Sequence, residues 1–176
     1  EGIEEEEEER VAQEVNSDFF KLELIKVETP AGILIDSDHK LESPLDQFVV
    51  HYDWELQDGH GYKAGDQITF QLPKELLVVN GLSGELKDGL GQAFVNYNVQ
   101  TDGKITFTFT EAVEQLSKVN GNINFLSQLN PDAIQIVNDQ VSIPQMQGGN
   151  PFILHVNGGT PEATINKSGN PKPYFS

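Results

Sequence analysis

The chain has 176 residues, 28 Asp plus Glu against 11 Lys plus Arg, a formal net charge of -17 and no cysteine. That length suits one ordinary domain, and the charge repels phosphate backbones and anionic headgroups, which argues against nucleic acid and direct membrane contact as partners. The missing thiol excludes disulfides, thiolate metal sites and cysteine nucleophiles, and no apolar run approaches the ~20 residues needed to cross a bilayer.

The first segment, residues 1–17, opens with six consecutive glutamates, Glu4 to Glu9. Like charges at helical spacing repel one another, so this acidic leader is expected to be disordered or a frayed helix. It lacks the glycine turn and alternating ligands of a calcium loop.

From Phe19 the apolar residues recur with period two, the spacing that sends alternate side chains to opposite faces of a strand. Phe20, Leu22 and Leu24 alternate with Lys21 and Glu23, up to the turn residues Thr29-Pro30-Ala31-Gly32. A short piece is expected at 33–35. Next, Phe48, Val50, Tyr52, Trp54 and Leu56 form the apolar face of a long half-buried strand. The loop 57–66 is rich in Gly and Asp and hands over to Ile68, Phe70 and Leu72, ended by Pro73, which has no N–H for a sheet ladder.

Further strands are expected at 76–79, 92–99 and 104–110. The last is the clearest, with Ile105, Phe107 and Phe109 alternating with three threonines after a Thr101-Asp102-Gly103 hairpin turn. Residues 111–119 carry the one internal stretch of helical spacing, through Ala112, Val113 and Leu116. Strand pattern returns at 122–129, 133–137, 141–143, 152–156 and 162–167. About ten short strands with regular turn signals spell an all-β sandwich, with more strands than the seven of the simplest immunoglobulin plan. Residues 18–168 therefore form the domain, and the proline-containing 169–176 reads as a linker to a following domain.

Four segments together resemble a known family. They are Val49-Val50-His51-Tyr52-Asp53-Trp54-Glu55-Leu56, the run from Lys63-Ala64-Gly65-Asp66 to Leu72-Pro73-Lys74-Glu75-Leu76, the run from Asp102-Gly103 to Glu114, and Ser117-Lys118-Val119-Asn120-Gly121. In this order they are similar to the first immunoglobulin-like subdomain, N1, of collagen-adhesin-like cell-wall proteins of Gram-positive bacteria (MSCRAMM adhesins). The resemblance implies a variant immunoglobulin (DEv-IgG) two-sheet sandwich, export, and cell-wall anchoring through a C-terminal signal outside this fragment. It also implies a host extracellular-matrix protein, collagen- or fibrinogen-like, as partner, gripped together with an adjacent Ig-like domain of the same chain. The chain is expected to act as a monomer, without cofactor and not as an enzyme. A ligand-free stalk or pilus spacer and a carbohydrate-binding sandwich with exposed aromatics are the alternatives.

Family members often carry a self-formed amide between Lys and Asn side chains beside a buried carboxyl. Here the resemblance points to Lys26, Asp53 and Asn166. Lys26 continues the apolar phase of Leu22 and Leu24, whereas Asp53 falls on the face opposite Tyr52 and Trp54, and the parity of the last strand sets Asn166 against its core phase. An ordinary strand-end lysine and two solvated polar residues are the simpler reading.

No metal-ligand spacing links His39, His51, His60 and His155. Asp36-Ser37-Asp38 and Asp58-Gly59-His60 fit turns, where Asp caps local amides, better than calcium loops. Ser83 stands before Gly84 without the strand-to-helix context of a nucleophile elbow. Trp54 is expected in the core, while Tyr62, Tyr97 and Tyr174 are candidates for a contact surface.

Overall fold

The computed structural model describes residues 13–158. Eleven strands lie among them: β1 Gln13–Glu14, β2 Phe20–Glu28, β3 Phe48–Leu56, β4 Asp66–Gln71, β5 Leu76–Val78, β6 Leu82–Lys87, β7 Ala93–Val99, β8 Lys104–Phe109, β9 Val119–Leu129, β10 Gln140–Ile143 and β11 Phe152–His155. A five-stranded sheet runs β1-β4-β8-β7-β6 and a four-stranded sheet runs β2-β3-β9-β5, with β10-β11 as a separate hairpin. The fold is the expected all-β immunoglobulin-like sandwich, because each strand carries one apolar face and two such faces exclude water only by stacking.

The core is built around Phe20, which is fully buried. Its ring stacks on Trp54 at 5.9 Å and meets Phe107 at 5.0 Å, Phe109 at 6.1 Å and Phe70 at 6.5 Å. Trp54 is buried between Phe20 and Phe94. Its indole lies across Gly121, its cross-strand partner on β9, where an added Cβ would sit 2.6 Å from the ring. The Trp54 indole nitrogen and the Tyr52 hydroxyl, both buried, find no hydrogen-bond partner among the described residues, and burial raises the Tyr52 pKa above its ordinary value.

Two bulges reset the alternation. In β2 the register slips between Leu24 and Lys26, leaving Ile25 as the extra residue. In β7 Phe94 is the extra residue opposite the Leu86/Lys87 step, so that Phe94 and Val95 are both buried.

Several expectations change here. Gln13–Glu14, expected within the leader, pairs in parallel with Asp66 and Gln67 of β4; the strand forms because the Val15 N–H donates to Gln67 O and the Gln13 N–H to Gly65 O. The piece at 33–35 is reduced to a bridge between Glu28 and Leu34, since the Thr29 hydroxyl and carbonyl hold a tight turn there. Residues 133–137 form no strand: 131–133 are a turn in which Asn130 Oδ1 accepts the Asp132 N–H, 134–136 carry no regular structure, and Val137 makes only an isolated bridge to Gln140. The helical spacing at 111–119 is realised only as a 3-10 turn, Glu111–Gln115, capped by the Thr110 hydroxyl, before β9 begins. β6 lies where the sequence shows Gly, Ser and charges. The strand expected at 162–167 lies outside the described residues.

The Lys63-Ala64-Gly65-Asp66 motif is structural. Gly65 adopts φ 88°, and the buried Asp66 carboxylate accepts the Lys63 N–H at 2.9 Å, closing the turn that starts β4.

A candidate polar binding face

Alternation along β4, β8, β7 and β6 sends one set of side chains into the core and the other onto the outer face of the five-stranded sheet. Cross-strand pairing arranges the outer set in two adjacent rows. One reads Gln67, Thr108, Asn96, Glu85, and the other Thr69, Thr106, Asn98, Ser83. Only Glu85 among these eight is charged, in a chain of net charge -17. Such a face offers donors and acceptors of both kinds at short range with few charges to desolvate.

The side chains are lightly engaged with one another. Gln67 Nε2 donates to Thr108 Oγ1 at 3.2 Å, Ser83 Oγ donates to Asn98 Oδ1 at 3.4 Å, and Thr69 Oγ1 donates to Glu14 Oε1 at 3.2 Å. A shallow concavity of about 660 Å³ runs over Ser83, Asn96, Asn98, Gln100, Thr106 and Thr108. A second, of about 630 Å³, continues from Ser83 and Asn98 to the Thr101-Asp102 turn. β6 is the sheet's outer strand, with β7 as its neighbour on one side only.

The outer face of the four-stranded sheet differs. Its cross-strand rows read Lys21, Glu55, Asn120, then Glu23, Asp53, Asn122, then Lys26, His51, Asn124. Charges dominate, and His51 Nε2 contacts Glu28 Oε1 at 2.8 Å with Lys26 Nζ 3.5 Å from the same carboxylate. Partial burial alone would raise the Glu28 pKa, but the His51 hydrogen bond and the His51 and Lys26 charges outweigh it and hold the carboxyl below its usual range.

Lys26 is thus not in the core phase. The Ile25 bulge turns it outward beside Glu28, half-exposed. Asp53 is exposed on the same outer face, opposite Glu23, and Asn166 lies outside the described residues.

The other candidates resolve individually. Asp36 Oδ1 accepts the N–H groups of Asp38 and His39, both at 2.9 Å, which is a capped turn. Both ring nitrogens of His60 are engaged: Nε2 donates to Leu116 O and Nδ1 accepts the Tyr62 N–H. Among the described residues no three His, Asp or Glu side chains converge as a metal site. Ser83 sits within strand β6, bonded to Asn98, with no turn into a helix. Tyr62, expected at a contact surface, is instead buried and stacked on Phe109 at 4.6 Å, its hydroxyl donating to Asn16 O. Tyr97 is half-buried against Gly84 and Phe107 and also lines the larger concavity of the candidate face, and Tyr174 lies outside the described residues.

At the far end of the sandwich, Asp139 joins three segments. Its carboxylate accepts from Lys40 Nζ at 3.0 Å and from the Gly158 N–H at 3.1 Å. Those bonds, the Lys40 one foremost, hold its pKa below the usual carboxylate range against the opposing effect of burial. A depressed folded-state pKa contributes stability above the unfolded value, about 4, and that contribution is lost as pH falls through the folded value. Asp139→Asn keeps the left-handed backbone, φ 59°. It should lose under about 1 kcal/mol at pH 7, with the gap to the parent closing below pH ~3; urea titrations at both pH values measure it.

Among the described residues no helix is long and apolar enough to cross a membrane. No curated protein matches the sequence. Among solved structures, the chain resembles a serine-rich repeat protein (Srr2) from Streptococcus agalactiae, with TM-score 0.53 and 11% identity over 82% of this chain and 46% of that one. It is also similar to a collagen adhesin (CNA) from S. aureus, with TM-score 0.48 and 18% identity over 83% of this chain and 45% of that one. The chain therefore spans less than half the length of either. Residues 43–140, more than half of this chain and the stretch that holds β3 to β9, match the bacterial Ig domain family. The chain belongs to the bacterial Ig domain family.

Proposed function

We propose that this chain is a non-enzymatic adhesin subdomain of the N1 type, displayed outside a Gram-positive cell, with residues 18–168 as the domain and 169–176 as a linker. It would engage a host extracellular-matrix protein together with an adjacent Ig-like domain. The observation that carries this reading is the double row of amide and hydroxyl side chains on β4, β8, β7 and β6. An extended or rod-like polypeptide exposes many backbone carbonyls and few charges, and Asn, Gln, Thr and Ser at strand spacing meet such groups without paying for buried ions. The open side of β6 adjoins the rows, so a polypeptide crossing the face reaches a strand edge able to accept main-chain pairing. The similarity in fold to a serine-rich repeat protein of Streptococcus agalactiae is consistent with this reading. A glycan reading is weaker, because the exposed large apolar residues among those described are all aliphatic and the half-buried Tyr97 is the one ring lining the two concavities of this face.

The test is binding of the whole chain, alone and joined to a following domain, to immobilised collagen, fibrinogen and a glycan array. Collagen or fibrinogen binding that falls about tenfold or more in Asn96→Ala/Asn98→Ala, at unchanged thermal midpoint, is the expected result. Binding indifferent to these substitutions, or glycan binding by this domain alone, overturns the assignment.

A further inference from the structure

The end of the sandwich opposite the leader carries an apolar groove. Pro30, Ile33 and Leu45 line it over Ile35 and Leu41, and it encloses about 630 Å³. Ile33 is 51% and Leu45 64% exposed, although their chain is strongly acidic and its other apolar side chains are mostly packed away. Exposed aliphatic side chains grouped around one depression mark a surface that is covered in use.

We propose that this groove seats the chain's own C-terminal continuation, residues 159–168, with Ala163 and Ile165 as the apolar contacts. Position is the first argument. Val156 bridges in parallel to Leu41, and the Asn157 N–H donates to Leu41 O, so the backbone leaves Gly158 one strand's width from the groove wall. The Asp139 carboxylate holds the Gly158 N–H and the Lys40 ammonium together, fixing that departure point. Ile165 lies seven steps along the chain from Gly158, an extended reach of roughly 23 Å, which is ample for the distance.

Charge and topology disfavour the other end of the chain. The leader joins the fold at β1, beside the start of β4, whereas the groove lies beyond the last residue of β2, nine residues or about 30 Å along the sheet. Of the groove-wall charges Lys40, Glu42 and Asp46, the lysine is already paired with Asp139, so the two carboxylates are left to repel a run of six glutamates. Residues 159–176, by contrast, carry Glu162 against Lys167 and Lys172. Within that segment, Ala163 and Ile165 alternate with Thr164 and Asn166, the pattern of a strand with one apolar side.

The experiment uses the whole chain with labelled Ile and Leu methyl groups, compared with Ile165→Asp. The expected result is movement of the Ile33 and Leu45 resonances with Leu90, exposed at the opposite end, and the buried Ile68 unchanged. Because the chain lacks cysteine, a nitroxide on Ser168→Cys is unique. It should broaden Ile33 and Leu45 within one molecule, and less so when Ile165→Asp is added. Unmoved resonances in Ile165→Asp overturn the proposal. So does broadening that arises only between labelled and unlabelled molecules, which would assign the groove to a second copy.

Discussion

Replacing Phe20 by Ala should remove about 3–5 kcal/mol of stability, the upper range for loss of a buried aromatic side chain. Phe20 is fully buried and its ring meets four others, Trp54 and Phe70, Phe107 and Phe109, drawn from both sheets. Those partners sit on β3, β4 and β8, so no single strand can move in to fill the void without breaking its ladder. The loss combines the transfer of the ring with an unfilled cavity. Set against the roughly 5–15 kcal/mol that separates most domains from unfolding, it is a large fraction of the total. Chemical denaturation followed by Trp54 emission measures it directly, since the indole stacks on the deleted ring. A loss below about 1 kcal/mol would contradict the placement of Phe20 at the centre of the core. Phe20→Leu, which keeps most of the volume, should recover more than half of the loss.

The strands that alternate cleanly were legible. β3, β4 and β8 could be read off residues such as Tyr52, Trp54, Ile68 and Phe107, because period two needs no information beyond the strand itself. What failed to show in the sequence depends on a neighbour. β6 reads as a breaker because it contains Ser83-Gly84, yet it pairs with β7 through backbone bonds, and Gly84 is what lets the Tyr97 ring lie across it. Lys26 keeps the apolar phase on paper, but the bulge at Ile25, set by pairing with β3, reverses it. The candidate face is hidden for the same reason. Thr106, Thr108, Asn96 and Asn98 each look like ordinary solvent-side residues, and only the register puts them in two rows with Gln67, Thr69, Ser83 and Glu85. Tyr62 was misread because its burial comes from Phe109 and from Asn16, far away in sequence.

The same dependence on neighbours governs the sheet edges. An unpaired edge invites association, and each edge here is treated differently. β4 is covered over its first residues by β1. β6 carries Ser83, Glu85 and Lys87 on exposed positions, the first two within the candidate face. β5 is only three residues long. On β2 the cover is made of side chains. The Leu24 N–H donates to Gln145 Oε1 and the Leu22 N–H to Gln147 Oε1, both at 2.8 Å. In return Gln145 Nε2 donates to Leu24 O at 3.1 Å and Gln147 Nε2 to Phe20 O at 3.0 Å. Two glutamine amides, spaced two residues apart, thereby stand in for the peptide groups of a missing strand.

Gln145→Ala/Gln147→Ala should therefore destabilise the domain by about 2–4 kcal/mol, because four part-buried backbone groups of β2 lose their partners together. For a chain of this length that lowers the thermal midpoint by roughly 5–15 °C. Hydrogen exchange at the Leu22 and Leu24 amides should accelerate before the rest of β2. The single variant Gln145→Glu separates shape from hydrogen bonding. A carboxylate can still accept the Leu24 N–H but can no longer donate to Leu24 O, and it sets a negative charge against that carbonyl. This repulsion raises the folded-state pKa of the new carboxyl, so the stability it contributes is present in acid and lost as pH rises through that value. The variant should accordingly sit closest to the parent near pH 4 and fall behind it at pH 7, the same direction as the gap for Asp139→Asn, although there the titrating carboxyl belongs to the parent and has a depressed rather than a raised pKa. Equal stability of Gln145→Glu and parent at pH 7 would show that the glutamine amide is not a donor to β2, and the edge would then need another explanation.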